Sequence, residues 1–301
     1  MRIVYATCSG SSRLDDDAGD FALGLARMAQ HAGHRVDLLV QVPAGEGERL
    51  RRSTIDGVPV VLLAADAPAA RSGAVAEWLD ARQADVVHLL DSQAASFASQ
   101  AGGDTAPALV VNVDDQPAYG GDATRAGEAL LRRAACRIAP DLETAARLRG
   151  RWPELTFDVV IPGVDLLAIA AGRRLDPAAG PPCVGWAGGP WPTLEHLLEQ
   201  LGLRARPLDG RPAERQGTLH AIDLLCLRAC AARRLDFEAQ AAGVPVLRAD
   251  DDAAGLAEAL VAWAADAALR AQWRRAVRPP PRIEETAFLY ESLYRRAVAG
   301  R

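Results

Sequence analysis

Lysine is absent: all 34 basic side chains of this 301-residue chain are arginine. Lysine Schiff-base and phosphate-loop chemistry are therefore excluded, and every side-chain cation offered to an anionic ligand, protonated histidine aside, is a guanidinium. Cysteine is sparse. Cys8, Cys136, Cys183, Cys226 and Cys230 are scattered, with no paired C-x-x-C motifs and no such motif beside histidines. That excludes a zinc module and fits a reduced, cytoplasmic setting. Long apolar runs are missing too. Met1 to Tyr5 leads straight into a strand-like segment, without a cleavage site or a bilayer-length stretch. No transmembrane segment is expected, and contact with a membrane surface stays open. Nor is positive charge in excess: 39 acidic side chains leave a net charge of −5, which argues against a nucleic-acid partner that needs a broad basic face.

What is present is apolar sequence in short, regular pieces. Half of the residues are hydrophobic, and the length suits two domains of ordinary size or one large α/β domain. Strands are expected over 2–7, 35–42, 57–63, 85–91, 108–113, 136–139 and 157–161. Helices are expected over 18–31, with Phe21, Leu25 and Met28 as the buried stripe, and over 75–84, 125–135 and 142–149. This alternation predicts a doubly wound parallel sheet. An Ala/Gly/Pro-rich run over 168–182 reads as a connection. A second alternation follows, with strands over 183–187, 204–208, 221–227 and 244–247 and helices over 193–201, 236–242, 253–264 and 268–276. After Pro279-Pro280-Pro281 a last helix over 283–298 is expected to turn Phe288, Leu289, Leu293 and Tyr294 inward.

The segment from Arg234 to Val246 combines a short helix, a single inward-capable carboxylate at Glu238, a glycine stop at Gly243 and a strand. From the residues alone Glu238 is either an exposed helix glutamate or an acceptor for ribose hydroxyls. Gly188 and Gly189 form a glycine turn before the helix near Thr193, where backbone N–H groups can cradle a diphosphate or simply make a tight turn. Arg228, Arg233 and Arg234 flank the same region, as phosphate ligands or as solvated surface charges. Asp114 and Asp115 follow a parallel strand at its carboxyl end, as general-base candidates or as loop carboxylates. His88 inside its strand reads as a satisfied core histidine, and Cys226 and Cys230 as core packing.

Four motifs in order resemble the GT-B glycosyltransferases of the group-1, glycosyltransferase-4-like family. They are Gly33-His34-Arg35-Val36, Asp85-Val-Val-His88, Val160-Ile-Pro-Gly-Val-Asp165 and Glu238-Ala-Gln-Ala-Ala-Gly-Val-Pro-Val246. The resemblance implies two Rossmann-like sheets facing a central cleft. Residues 1–165 would form an acceptor domain, with the terminal helix 283–301 packing back on it, and residues 182–280 a donor domain. It implies transfer of a sugar from a nucleotide-diphosphate sugar to a hydroxyl-bearing acceptor, with no metal and no cofactor besides the donor. Glu238 would hold the donor nucleoside, and the loop of Ser9, Gly10 and Ser11 with Gly19 would face the acceptor. The chain departs from the family pattern at Cys230, eight positions before Glu238, where the family has a first glutamate, and at Trp186, where an arginine follows the glycine. These departures support an alternative reading, a glycosyltransferase-like scaffold or regulatory subunit without chemistry. An NAD-dependent enzyme is disfavoured because Cys8-Ser-Gly-Ser-Ser12 is not G-x-G-x-x-G. Neither the donor sugar, the acceptor, the stereochemical outcome nor the oligomeric state follows from the residues.

Overall fold

The computed structural model describes residues 1–10, 12–43, 50–64, 78–79, 81–91, 106–113, 123–166, 169, 181–187, 189–208, 210–228, 233–249 and 253–300. Two compact units result: Met1–Pro162 with Ile283–Arg301, and Gly163–Arg282.

The first unit contains β1 (Arg2–Cys8), α1 (Asp17–His31), β2 (Arg35–Val42), β3 (Leu50–Ile55), β4 (Val58–Ala64), β5 (Val86–Leu89), β6 (Ala108–Asn112), α2 (Ala123–Arg133), β7 (Cys136–Ala139), α3 (Leu142–Arg151) and β8 (Asp158–Val159). They form one eight-stranded sheet in the order β3-β4-β2-β1-β5-β6-β7-β8. Both faces are covered, so the strands are apolar on consecutive residues instead of alternating. Ile3, Tyr5, Leu38 and Val110 face one layer with Leu25 and Tyr294, while Val4, Ala6, Leu39 and Val111 face the other with Leu131 and Leu148.

The structure departs from the sequence pattern in three places. The sheet is parallel except at one edge, where β3 pairs antiparallel with β4. Asp56 and Gly57, both at positive φ (49° and 81°), make the two-residue hairpin turn that Asp-Gly favours. The arginines of Leu50-Arg-Arg-Ser-Thr-Ile55 hid that edge strand in the sequence. In α1 the buried positions are Gly19, Ala22, Leu23, Leu25, Ala26 and Ala29, and Phe21 and Met28 are only half-buried at the margin. The C-terminal helix Ile283–Ala299 buries Ile283, Thr286, Tyr290, Leu293, Tyr294 and Ala297, so Phe288 and Leu289 do not turn inward as expected. Phe288 is 69% and Leu289 47% exposed. The inward face keeps the 3.6-residue period but is centred on tyrosines and small residues, and Thr286 Oγ1 anchors it by donating to the Ile161 carbonyl at 2.9 Å.

The second unit contains β9 (Cys183–Ala187), α4 (Pro192–Gln200), β10 (Arg204–Pro207), α5 (Pro212–Leu219), β11 (Leu224–Arg228), α6 (Arg233–Ala241), β12 (Val246–Ala249), α7 (Ala253–Ala265) and α8 (Ala267–Ala276). Its four strands are all parallel, in the order β10-β9-β11-β12. Leu225 and Leu227 point to the layer of Leu219, Ala239 and Val244, while Leu224 and Cys226 point to Leu194, Leu198, Leu260 and Trp263. Burial pushes the Cys226 thiol up to about 12, which keeps it a protonated, inert core residue. The strand expected over 221–227 begins only at Leu224, and the segment before it contains α5, a helix that the strand-and-helix pattern had passed over.

Candidate functional site

In doubly wound sheets, ligands gather beyond the carboxyl ends of the strands. In the second unit that end carries arginine. Arg228 is the last residue of β11. Its guanidinium lies over the Trp191 ring at 5.2 Å, and its Nη2 donates to the Pro190 carbonyl at 3.1 Å. Both partners belong to the turn that leads from β9 into α4, where Gly189 takes a left-handed φ of 88° and Pro192 opens the helix. Arg228 Nε is buried and has no hydrogen-bond partner among the described atoms. Gly188 lies outside the described residues.

The connection from β11 enters α6, which carries Glu238 in its second turn. Glu238 is only 2% exposed, which excludes the exposed-glutamate reading. Arg215 of α5 grips it from across the unit: Nη2 donates to Oε1 at 3.1 Å and Oε2 at 3.2 Å, and Nε donates to Oε2 at 3.3 Å. Arg234, one turn earlier on α6, donates from Nε to Oε1 at 2.9 Å. Arg215 also donates to the Gly210 carbonyl at 3.0 Å, tying the cluster to the loop after β10. Arg248 of β12 holds Asp236 of α6 at 2.9 Å, so β12 and α6 are cross-linked beside it. Glu238 and Arg234 stand out in the sequence, and Arg215 does not. Pro212 followed by Glu214 was the available signal, because a proline and an acidic residue in a first turn mark a helix start. Arg233 opens α6, and its side chain, like the segment with Cys230, lies outside the described residues.

In the first unit Asp16 organises the expected loop. Its carboxylate caps α1 by accepting from the Gly19 N–H at 2.9 Å, and accepts from Ser9 Oγ at 2.9 Å and from the Gly10 N–H at 2.6 Å. Ser9, Gly10 and Gly19 are thus brought together as one fixed turn, and Ser11 lies outside the described residues. A Cβ on Gly19 would sit 2.6 Å from the Leu14 Cα, a backbone atom that cannot step aside. Gly19→Ala is therefore expected to destabilise the protein by roughly 1–3 kcal/mol, read as a lower urea midpoint. An unchanged midpoint would show that the turn yields.

Asp114 and Asp115 also lie outside the described residues, directly after β6 and Val113. The end of β6 is held by a buried polar network. His88 of β5 has no exposed surface. Its Nε2 lies 2.9 Å from Asn112 Oδ1 and its Nδ1 2.7 Å from the Tyr294 hydroxyl. Asn112 Nδ2 donates to the Leu90 carbonyl at 3.4 Å, which turns its Oδ1 toward His88 Nε2, and the Tyr294 hydroxyl donates on to the Tyr5 hydroxyl at 3.3 Å. Asn112 also bonds the Tyr290 hydroxyl at 3.3 Å. Burial pushes the His88 imidazole down to about 4, opposed in part by the Asn112 bond. His88 is thus the satisfied core histidine that the sequence indicated, and its partner Asn112 was not foreseen.

Among the described residues, no group of three or more His, Cys, Asp or Glu side chains is placed to hold a metal ion, and no helix is long and apolar enough to cross a membrane.

No protein-family profile and no curated protein matches the sequence. Solved structures do match the fold. The sucrose-phosphate synthase of Thermosynechococcus elongatus aligns over 100% of both chains at a TM-score of 0.73 and 16% identity. HepE of Anabaena, solved with UDP-glucose, aligns over 100% of this chain and 99% of its own at 0.62 and 15%. A glycosyltransferase from Rickettsia africae ESF-5 aligns over 100% and 99% at 0.64 and 11%.

Proposed function

Starting from a chain that has the GT-B fold of solved glycosyltransferases, we propose that it transfers a sugar from a nucleotide-diphosphate sugar to a hydroxyl-bearing acceptor. The observation that carries this reading is the set of guanidinium groups at the carboxyl end of the second unit's parallel sheet, with Arg228 braced on Trp191 beside the glycine turn. Glycosyl transfer from such a donor releases a nucleoside diphosphate, so the largest electrostatic demand falls on the leaving oxygens. In a chain without lysine, arginine and backbone N–H groups have to meet it. The buried Nε of Arg228, without a hydrogen-bond partner among the described atoms, is suited to that role, because a charge-assisted bond to a phosphate oxygen would satisfy it. That HepE was solved with UDP-glucose supports the donor class.

In this scheme Gly163–Arg282 is the donor unit. Gly188, Gly189, Arg228, Arg233 and Arg234 surround the diphosphate, and Glu238 organises the helix beneath it. Met1–Pro162 with Ile283–Arg301 is the acceptor unit. The turn of Ser9, Gly10, Ser11 and Gly19 borders the acceptor, and Asp114 or Asp115 takes the proton from its hydroxyl. The donor is itself the activated reactant, so the scheme calls for no further cofactor. The protein would work in the cytoplasm, where nucleotide-sugars are available.

Calorimetry with UDP, GDP, ADP and TDP tests the reading. One of the four should bind, and Arg228→Ala should weaken it about ten- to a hundredfold, the value of a hydrogen bond to a charged group. Absence of binding by all four would sink the enzyme reading, and undiminished binding by the variant would move the diphosphate elsewhere.

A further inference from the structure

We propose that the open edge of β12, with the groove between it and α8, is a docking site for an extended segment of a partner protein, apolar in its middle and flanked by acidic residues. The groove lies at the amino end of β12, whereas the donor reading places the diphosphate beyond the carboxyl ends of the same sheet, so the proposal stands independently of that reading.

The two edges of this sheet differ. β10 reads Arg204-Ala-Arg206-Pro207 with every residue exposed, and charge and proline are what keep an edge from pairing. β12 is the last strand on the other side and, among the described residues, pairs with β11 alone. Leu225 is in register with Val246, and its N–H donates to the Pro245 carbonyl at 3.0 Å. Alternate residues of a parallel ladder face the same neighbour, so the N–H and C=O of Val246 point to the open side. A groove of about 530 Å³ runs there, with Val244 and Leu247 along the strand, Gln240 of α6 on one side, and Trp273 and Val277 on the other. A strand edge beside an apolar groove supplies both elements of recognition by strand addition: main-chain hydrogen bonds, and room for alternate side chains. The rim selects the partner by charge. From Ala267 to Arg282 the chain carries Arg270, Arg274, Arg275 and Arg278 and no acidic residue. Arg270 donates to the carbonyls that end α7, and Arg274 pairs with Asp223 at 2.8 Å, while Arg275 and Arg278 are exposed and Arg278 lines the groove. An acidic residue complements this rim and a basic one is repelled. A second copy of the chain would bring its own equally basic α8 to the edge, so like charge disfavours self-pairing.

The test uses two short capped peptides of alternating threonine and valine, one with glutamate at both ends and one with lysine. Binding to the full chain is read by fluorescence anisotropy of the labelled peptide and by hydrogen exchange at the Val246 amide. The glutamate peptide should bind and slow exchange at Val246, and the lysine peptide should bind at least about tenfold more weakly. Trp273→Ala, which removes one wall of the groove, should weaken the glutamate peptide at least about tenfold, as loss of an aromatic anchor does. Arg278→Glu reverses charge at an exposed side chain without touching the core, and should narrow the difference between the peptides by at least about threefold. Failure of both peptides to bind the wild type would overturn the proposal, and so would binding that leaves exchange at Val246 unchanged. Equal binding of the two peptides would overturn the acidic partner. A wild type that is dimeric, with the Val246 amide already protected, would overturn it in favour of a second copy of the chain.

Discussion

Arg215→Ala is expected to cost about 3 kcal/mol of stability, the range seen when one partner of a buried ion pair is removed. The loss comes from Glu238, which is 2% exposed and would keep only the single Nε donor of Arg234 in place of three contacts from Arg215. The Gly210 carbonyl loses its guanidinium donor at the same time. Urea unfolding of the full chain should therefore show an early transition that changes most of the tryptophan fluorescence, since the unit Gly163–Arg282 contains Trp186, Trp191, Trp263 and Trp273 and the other unit only Trp78 and Trp152. In Arg215→Met/Glu238→Leu most of this loss should be recovered, because no charge remains to be compensated, and the double-mutant cycle would give a large coupling. A loss below about 1 kcal/mol for Arg215→Ala would mean that the pair behaves as a solvent-screened surface contact.

The second large effect is a dependence on pH. The folded protein holds the His88 imidazole at about 4, against 6.5 for an unperturbed histidine, because burial disfavours the charged ring. Above pH about 6.5 the ring is neutral in both folded and unfolded chains, and its contribution to stability is fully present. As the pH falls from about 6.5 to about 4 the unfolded chain takes up the proton and the folded chain does not, so stability is lost across that window. The separation between the two values corresponds to about 3 kcal/mol. The ring lies 2.7 Å from the Tyr294 hydroxyl of the C-terminal helix, so a charge on it would act at the seam between that helix and the sheet. Urea midpoints measured at pH 7 and pH 4.5 should differ much more for the wild type than for His88→Gln, whose side chain does not titrate. Equal differences would assign the acid sensitivity to other groups.

Much of the architecture is readable from local pattern. Cys183–Ala187, Cys136–Ala139 and Arg35–Val42 are strands in the structure at the bounds the sequence implies, since strands covered on both faces are apolar without interruption. β3 escaped because an edge strand needs few apolar residues, and Arg51 and Arg52 read as loop. Phe288 and Leu289 misled for the opposite reason: large apolar side chains suggest an inward face, whereas the face that docks is the one whose Thr286, Tyr290 and Tyr294 find polar partners or close packing on the sheet.

The chain's sequence by itself determined two successive α/β alternations, the arginine-only supply of cationic side chains, and Glu238 on a short helix before a strand. These follow from composition and short-range periodicity, which act within a few residues. Only the tertiary structure decided what Glu238 meets. Arg215 stands 23 residues earlier, on a helix whose partner is chosen by the packing of α5 and α6 over one sheet. Likewise Asn112 and Tyr294 reach His88 only because β5, β6 and the C-terminal helix converge there. A buried charge or imidazole takes its properties from groups distant in sequence, and the fold is what brings them within hydrogen-bond distance.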